Sequence, residues 1–181
     1  MNRADTVEGD EKLRLFLALE LPDDVSTALG AWSARYLEGG RRVESFHVTL
    51  AFLGSRPRSE LDSILAAARE SAAETAPFEL GPLRYRETRS VGMLVLGDES
   101  GAATRLATRL QTRLERLGVY RREARPWLPH VTVLRFRERP RLDPPLPTLG
   151  PFAPSGAAAF LSRLGPAGAR YEVLESHPFA Q

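Results

Sequence analysis

The sequence contains no cysteine, and lysine occurs only once, at Lys12. The absence of cysteine excludes disulfide bonds, thiolate nucleophiles and zinc sites with thiolate ligands. The first apolar run, residues 13–21, is much shorter than the roughly 20 residues that a membrane-spanning helix needs. Residues 1–12 are polar and mixed in charge, with no secretory hydrophobic segment. We therefore expect a cytoplasmic protein with no membrane partner, in which residues 1–12 form a disordered tail.

Histidine is also scarce, with three copies in 181 residues, whereas arginine provides nearly all of the 25 basic residues. The formal net charge is nevertheless only +2. Arginine can contact a phosphate group through two N–H donors at once, which lysine cannot do. A GC-rich genome would enrich arginine, alanine, proline and glycine together, so this enrichment alone does not indicate a nucleic-acid-binding protein. The composition does permit a local basic groove.

The length predicts one domain or two tightly joined lobes, and we expect a single unit over residues 13–181. Apolar runs bounded by glycine and proline predict strands at residues 13–19, 45–53, 91–96, 127–136, 157–164 and 169–174. Apolar residues at helical spacing predict helices that begin near Pro22, at a Ser59 cap and at Gly101. The order predicts an α+β fold with mainly antiparallel sheet. A doubly wound parallel sheet is disfavoured, because no glycine-rich phosphate loop follows the first strand.

Two of the three histidines open nearly the same phrase, which is HVTL at residues 47–50 and HVTV at residues 130–133. In a strand, residues i and i+2 lie on the same face. His47 would therefore lie beside Thr49, and His130 beside Thr132. Each histidine also follows a strand and a helix, so the two occupy equivalent places in two strand–helix–strand units. A pseudo-twofold relation between these units would bring both His-Thr faces to one central groove.

Two imidazoles that face each other suit phosphoester chemistry, because one can accept a proton while the other donates one. The threonine hydroxyls can donate hydrogen bonds to phosphate oxygens. The alternative is that both histidines have only a structural role. Their common four-residue phrase and their equivalent positions in two strand–helix–strand units argue against it. A zinc site would need a third protein ligand, and neither histidine has an acidic residue beside it in the sequence. A serine hydrolase is disfavoured because the sequence has no G-x-S-x-G motif.

The remaining candidates have weaker support from the sequence. His177 lacks the phrase and lies in the C-terminal tail, so we expect it to be non-catalytic. Arg135 follows the second phrase, but strict alternation would send it to the face opposite His130 unless the strand bulges there. Arg41 and Arg42 could contact an RNA backbone, although solvated loop charge is the favoured interpretation. The proline-rich residues 139–156 should form an extended surface connection.

The two phrases lie in the runs FHVTLAFLG, residues 46–54, and PHVTVLR, residues 129–135. These runs resemble the two-histidine phosphoesterase superfamily, and within it the bacterial RNA 2′,3′-cyclic phosphodiesterases, also described as LigT-like 2′–5′ RNA ligases. The segments RLFLALELP, residues 14–22, and SRLGPAGARYE, residues 162–172, also resemble that family. The resemblance implies a bilobal, duplicated α+β fold in which two sheets with flanking helices surround a central cleft. It also implies that no metal or cofactor is required.

In that family the first histidine is the general acid and the second is the general base. The resemblance thus assigns proton donation to His47 and proton acceptance to His130. Thr49 and Thr132 would hold the phosphate oxygens, and the family's arginine after the second phrase falls on Arg135. The substrate would be an RNA 3′ end or a nucleotide with a 2′,3′-cyclic phosphate, hydrolysed to a 2′-phosphate.

Two other functional classes remain open from the sequence. The protein could be an RNA-end or tRNA-binding module with vestigial activity, although a pure binder needs no matched acid and base. It could also be a sister enzyme that acts on another cyclic phosphate or on 2′–5′ linkages, since the phrases contact phosphate and not the base. We expect a monomer in either case.

Overall fold

The computed structural model describes residues 10–181 and contains three helices and eight strands in this part of the chain. The first three strands are β1 (Lys12–Glu20), β2 (Arg41–Arg42) and β3 (His47–Pro57). The other five are β4 (Gly81–Glu87), β5 (Val91–Gly97), β6 (His130–Arg135), β7 (Gly156–Gly165) and β8 (Gly168–His177). The helices are α1 (Asp23–Tyr36), α2 (Leu61–Ala73) and α3 (Ala102–Arg116).

The strands form two four-stranded sheets, and all of the described pairs are antiparallel. Sheet A has the order β3-β1-β7-β8, and sheet B has the order β2-β6-β5-β4. The α+β fold with antiparallel sheets is therefore confirmed. The units β1-α1-β3 and β5-α3-β6 have the same order of elements, so each phrase begins the second strand of its own unit.

One continuous apolar core joins the two lobes. Leu15, Leu17 and Leu19 of β1 contribute to it from sheet A, and Val131 and Val133 of β6 contribute from sheet B. The opposite face of β1 packs into a second, smaller cluster, which consists of Phe16, Ala18, Ala158 and Phe160 with Tyr171 against it. Because β1 is covered on both faces, its sequence is a nearly continuous apolar run rather than an alternating one.

Most of the predicted helix limits are confirmed. The helix α1 starts directly after Pro22 and ends before Gly39, which has a positive φ of 77°. Gly101 is the N-cap of α3, at a φ of 69°. The carboxylate of Asp98 accepts hydrogen bonds from the backbone N–H groups of Ala103 and Thr104, at 3.3 and 2.8 Å, and so stabilises the first turn of α3.

The prediction that Ser59 caps the second helix is wrong. The helix α2 begins at Leu61 after a 3-10 turn, and its N-cap makes no side-chain hydrogen bond. The backbone N–H of Ser59 instead donates to the carboxylate of Asp10, at 3.3 Å, which ties the start of the described chain to this turn. The fold therefore extends into the predicted tail, because Lys12 already belongs to β1. Residues 1–9 of that tail lie outside the described residues.

Three strand predictions also need correction. The strand β3 does not end at Gly54 but continues to Pro57, because Gly54 adopts a φ of 67° that lets the chain bend without leaving the sheet. The strand β4 was not predicted, since its polar sequence GPLRYRE lacks an apolar run. Arg41 and Arg42, interpreted as loop charges, form the short strand β2 beside β6. Among residues 10–181, no helix is long and apolar enough to cross a membrane.

Candidate active site

The two phrases meet where the two lobes adjoin. His47 is the first residue of β3, His130 is the first residue of β6, and these two strands contact each other. All four predicted side chains, those of the two histidines and of Thr49 and Thr132, are half-buried. Arg135 and His130 both lie close enough to the imidazole of His47 to lower its pKa, so all three groups belong to one electrostatic site. His47, His130 and Arg135 are therefore close in space, and Thr49 and Thr132 lie on the same two strands.

Each phrase contains a β-bulge at its fourth residue. Thr49 pairs with Ala18 while Ala51 pairs with Leu17, so Leu50 is an extra residue in β3. The second phrase repeats this in β6. There Thr132 pairs with Met93 while Leu134 pairs with Gly92, so Val133 is the extra residue. The exposure pattern of the seven residues from each histidine is the same in the two strands.

The bulge changes which face the following residue occupies. Arg135 pairs with Val91, which lies on the same face of β5 as Met93, the partner of Thr132. Arg135 therefore shares the face of Thr132 and His130, which strict alternation would have prevented. Phe52 takes the corresponding place after the first phrase, because it pairs with Phe16 on the face of Thr49. Sequence reasoning missed Phe52, since the position of a bulge is not visible in the sequence.

His130 is fixed in one orientation and one tautomer. Its Nδ1 atom lies 2.8 Å from the carbonyl oxygen of Leu128, two residues earlier. A carbonyl oxygen can only accept a hydrogen bond, so Nδ1 must hold the proton and donate it. Nε2 of the neutral ring is then left with a free lone pair. A histidine held in this way can act as a proton acceptor at Nε2.

His47 has a different environment, because it stacks on the aromatic cluster of sheet A. Its ring centroid lies 4.9 Å from that of Phe16, 5.9 Å from that of Phe160 and 5.4 Å from that of Tyr171. The backbone of Ser45 favours the protonated ring but forms no hydrogen bond of normal geometry with the buried Nδ1 atom. Burial, together with the electrostatic effects of the nearby Arg135 and His130, lowers the pKa of His47 to about 4.

This pKa has a consequence for stability that can be measured. The ordinary value of 6.5 applies to the unfolded chain, so between pH 6.5 and about 4 the unfolded state binds a proton at His47 that the folded state does not. The free energy of unfolding should therefore decrease as the pH falls through this interval. Urea unfolding of the wild type and of His47→Gln at several pH values will measure the effect.

The variant should lose part of this pH dependence, while the contribution of His177, whose pKa is also lowered by burial, remains in both proteins. The difference in unfolding free energy between the two proteins should change steadily between pH 6.5 and 4. A difference that stays constant over the interval would show that the pKa of His47 is not lowered in the folded protein.

Side chains from the second half of the chain hold the bulged part of β3 in place. The indole Nε1–H of Trp127 donates to the carbonyl oxygen of Thr49 at 3.0 Å. The buried amide of Gln111, on α3, donates to the carbonyl oxygen of Leu50 at 2.8 Å. Because β3 is an edge strand of sheet A, these oxygens would otherwise lack partners. The two bonds fix the first phrase relative to the lobe that carries the second.

Arg135 is positioned from its outer side by β2. Arg41 pairs with Arg135 in the sheet, and a Cβ atom at Gly40 would lie 2.5 Å from the carbonyl oxygen of Arg135. Only glycine permits this close approach of the two strands. The guanidinium of Arg135 is exposed and has no hydrogen-bond or carboxylate partner among residues 10–181. It is therefore free to contact an anion beside the two threonines.

An aromatic surface borders the first phrase on sheet A. The rings of Phe16 and Phe160 stack with centroids 4.9 Å apart, and the ring of Tyr171 meets Phe16 edge-on. Phe52 is 49% exposed, and the guanidinium of Arg14 lies over its ring, 4.8 Å from the centroid. An exposed aromatic ring beside a phosphate site can stack on a nucleobase.

The other candidates lie elsewhere. His177 shares a face of β8 with Glu175, which forms a salt bridge with Arg69 of α2, so it lies on the side of sheet A opposite the cleft. A separate open groove of about 1060 Å³ between the ends of α2 and α3 contains no histidine, and its Arg109 pairs with Glu74. Residues 10–181 contain no group of three or more histidine and acidic side chains that could hold a metal ion.

Two antiparallel sheets that each carry one His-Thr phrase define a duplicated two-histidine protein. The family model described as the 2′-5′ RNA ligase superfamily matches residues 21–161, and this chain therefore belongs to that superfamily. An RNA 2′,3′-cyclic phosphodiesterase of Thermus thermophilus is 33% identical over 178 residues, covering 90% of this chain and 88% of the relative. A protein of the same name from Escherichia coli is 30% identical over 141 residues, covering 75% of this chain and 78% of the relative.

Solved structures show that the similarity extends over the whole fold. The crystal structure of TT0787 of Thermus thermophilus has a TM-score of 0.79 and 32% identity, covering 92% of this chain and 98% of that protein. The crystal structure of Escherichia coli LigT in its apo form has a TM-score of 0.80 and 25% identity, covering 94% of this chain and 99% of that protein.

Proposed function

We propose that this protein hydrolyses the 2′,3′-cyclic phosphate at the 3′ end of RNA to a 2′-phosphate, using His47 and His130 as a metal-independent acid–base pair. The observation that carries the proposal is the matched pair of bulged strands in contact with each other, one with an imidazole and a hydroxyl on one face and the other with an imidazole, a hydroxyl and Arg135 on one face. The two relatives named RNA 2′,3′-cyclic phosphodiesterase support the substrate class.

His130 acts as the proton acceptor, which is supported by the hydrogen bond from its Nδ1–H to Leu128 because that bond leaves Nε2 available. Nε2 takes a proton from a water molecule, and the water oxygen forms a bond to phosphorus. The bond between phosphorus and the 3′ oxygen breaks, and His47 gives a proton to that oxygen. The products are a 2′-phosphate and a 3′-hydroxyl, and solvent returns each histidine to its starting protonation state.

The role of His47 as an acid requires that the substrate change its pKa. In the free protein the pKa of about 4 keeps this ring neutral near pH 7. A bound phosphate anion favours the protonated ring and opposes the effects of burial and of Arg135. Substrate binding and protonation of His47 are therefore coupled, so the acid is charged mainly in the complex.

The remaining residues hold the substrate. The hydroxyls of Thr49 and Thr132 donate to the two non-bridging oxygens, and Arg135 neutralises their charge. The threonines stand on the paired strands β3 and β6, so their hydroxyls can stabilise the additional charge on the oxygens in the transition state. The ring of Phe52 stacks on the terminal nucleobase, which the exposed edge of the aromatic surface permits.

The proposal predicts a single product that forms without a metal ion. Purified protein, treated with EDTA and dialysed, is incubated with adenosine 2′,3′-cyclic phosphate and with a short RNA that ends in the same group. Phosphorus NMR should show only the 2′-phosphate, and the rate should be the same with and without EDTA.

Three results would contradict parts of the proposal. Formation of the 3′-phosphate would mean that the leaving oxygen is the 2′ oxygen. Loss of the rate in EDTA, with recovery on addition of a divalent ion, would replace the acid–base pair with metal-activated water. Binding of the cyclic RNA without any hydrolysis would instead favour the RNA-end-binding module.

A further inference from the structure

The cleft face of sheet B continues beyond the catalytic strand to two arginines on its outer strand. In the register of the sheet, His130 pairs with Val95, which pairs with Arg84. In the next row Thr132 pairs with Met93, which pairs with Arg86. Residues paired across antiparallel strands lie on the same face, so both arginines face the same way as the catalytic pair.

The neighbouring residue of β4 supports this orientation. Tyr85, between the two arginines, faces the opposite side, where its ring packs edge-on against Trp32 of α1 at 6.4 Å. The carboxylate of Glu87 accepts a hydrogen bond from the hydroxyl of Tyr85 and is also buried on that side. Helix packing therefore occupies one face of β4, and Arg84 and Arg86 extend from the other.

Both guanidinium groups are available for a ligand. Arg84 and Arg86 are exposed, and neither forms a salt bridge or side-chain hydrogen bond with any of residues 10–181. Several arginines of the helices and loops are paired, as Arg113 is with Glu70 and Glu74. The face of sheet B that carries the second phrase has no carboxylate on β4, β5 or β6, so the positive charge there is not neutralised within the sheet.

The spacing of these groups fits a nucleic-acid strand that ends at the histidines. Neighbouring strands are about 4.8 Å apart, so the Cα atoms of Arg84 and His130 are separated by about 10 Å. An RNA strand covers that distance within roughly two or three nucleotides, at a rise of about 3.4 Å or more for each. Long flexible guanidinium side chains on this row would meet phosphates close to the reacting end.

We propose that Arg84 and Arg86 bind the phosphates of the nucleotides that precede the terminal cyclic phosphate, so that a single-stranded RNA end lies across sheet B. The proposal rests on the proposed function, and it adds that the preferred substrate is a polymer rather than a mononucleotide. Sheet A, the opposite wall of the cleft, fits an RNA strand whose phosphates face sheet B. Its Phe52 and Val173 expose apolar side chains, 49% and 47% accessible, on which the bases can lie.

The experiment compares two substrates and two matched double variants. Arg84→Gln/Arg86→Gln removes two charges from the row, and Arg35→Gln/Arg116→Gln removes two exposed charges from the outer helices. Turnover is measured on adenosine 2′,3′-cyclic phosphate and on a decamer RNA with a 2′,3′-cyclic end. Fluorescence anisotropy measures binding of a decamer with a 2′-phosphate end, which needs no catalysis.

The β4 variant should lose about 10-fold in kcat/KM and in affinity for the decamer at low salt, and less than about twofold on the mononucleotide. The slope of log affinity against log salt should fall by about 0.7 for each lost phosphate contact. The helix variant should resemble the wild type in every assay. Equal losses on both substrates would place the arginines at the reacting phosphate itself and overturn the proposal.

Failure of this inference and failure of the proposed function give different results. A wild type that hydrolyses the mononucleotide and the decamer equally well, with unchanged binding in the β4 variant, would overturn the RNA path alone. A wild type that hydrolyses neither substrate would contradict the proposed function, and the anisotropy measurement would still decide whether β4 binds RNA. Circular dichroism and thermal unfolding verify that both double variants are folded.

Discussion

His47→Ala and His130→Ala should each lower kcat on a 2′,3′-cyclic substrate by about 10² to 10⁴-fold, because each removes one of the two groups that transfer a proton. The loss should appear in kcat more than in KM, since both threonines and Arg135 remain to bind the phosphate. The double variant should be little worse than either single variant, because the two histidines act as a unit. Single-turnover kinetics with excess enzyme will measure the three rates.

Two controls separate chemistry from packing. His47 stacks on Phe16, so His47→Gln, which retains more of the side-chain volume than alanine, should be as inactive as His47→Ala if proton transfer is the lost function. His177→Asn changes a buried histidine on the opposite face of sheet A and should retain activity in folded protein. If either His47→Ala or His130→Ala kept near wild-type activity, the two histidines could not be the acid–base pair.

The part of the site that repeats in the sequence could be predicted from it. The duplicated phrase indicated His47, Thr49, His130 and Thr132, because a period of two and a shared place after strand and helix are local patterns. The two-lobed antiparallel fold followed from the resemblance and is confirmed. Assignment of the acid and the base came from the resemblance too, and stays a prediction.

The positions of the two β-bulges could not be predicted from the sequence. Strict alternation placed Arg135 on the wrong face, and nothing in VTVLR shows that Val133 is the extra residue. The register depends on the partner strand β5, which lies far away in the sequence. The same long-range pairing brings Phe52 beside Thr49 and Arg84 beside the row of His130. Side chains whose place depends on a distant partner strand could not be found from periodicity alone.

The failed helix cap has a similar physical cause. Ser59 precedes an apolar helical pattern and so resembles an N-cap, but the carboxylate of Asp10 takes its backbone N–H. A contact between the start of the chain and this turn therefore overrides a local preference. The strand β4 was not predicted because only one of its faces packs against the protein. Its other face carries two arginines, so its sequence has no apolar run.

Thr49→Val and Thr132→Val should each weaken transition-state stabilisation by about 1–3 kcal/mol, because each removes one hydroxyl donor to a phosphate oxygen without changing the shape of the side chain. The loss should be smaller than that from either histidine. Both sites lie beside a bulge at the fourth residue of the phrase, so the two single variants should have similar effects. Measurements of kcat/KM for the single and double variants will show whether the two donors act on the same phosphate.

Thr49→Ser and Thr132→Ser restore the hydroxyl and should recover most of the activity, which a purely structural role of the methyl group would not allow. Thr112→Val, at a half-buried position of α3 outside the cleft strands, is the matched control and should leave kcat/KM unchanged. If the double valine variant retained wild-type kinetics, the oxygens would have to be held by Arg135 alone. In that case Arg135→Gln would produce the loss expected here for the threonines, and the two phrases would contribute only their histidines to the reaction.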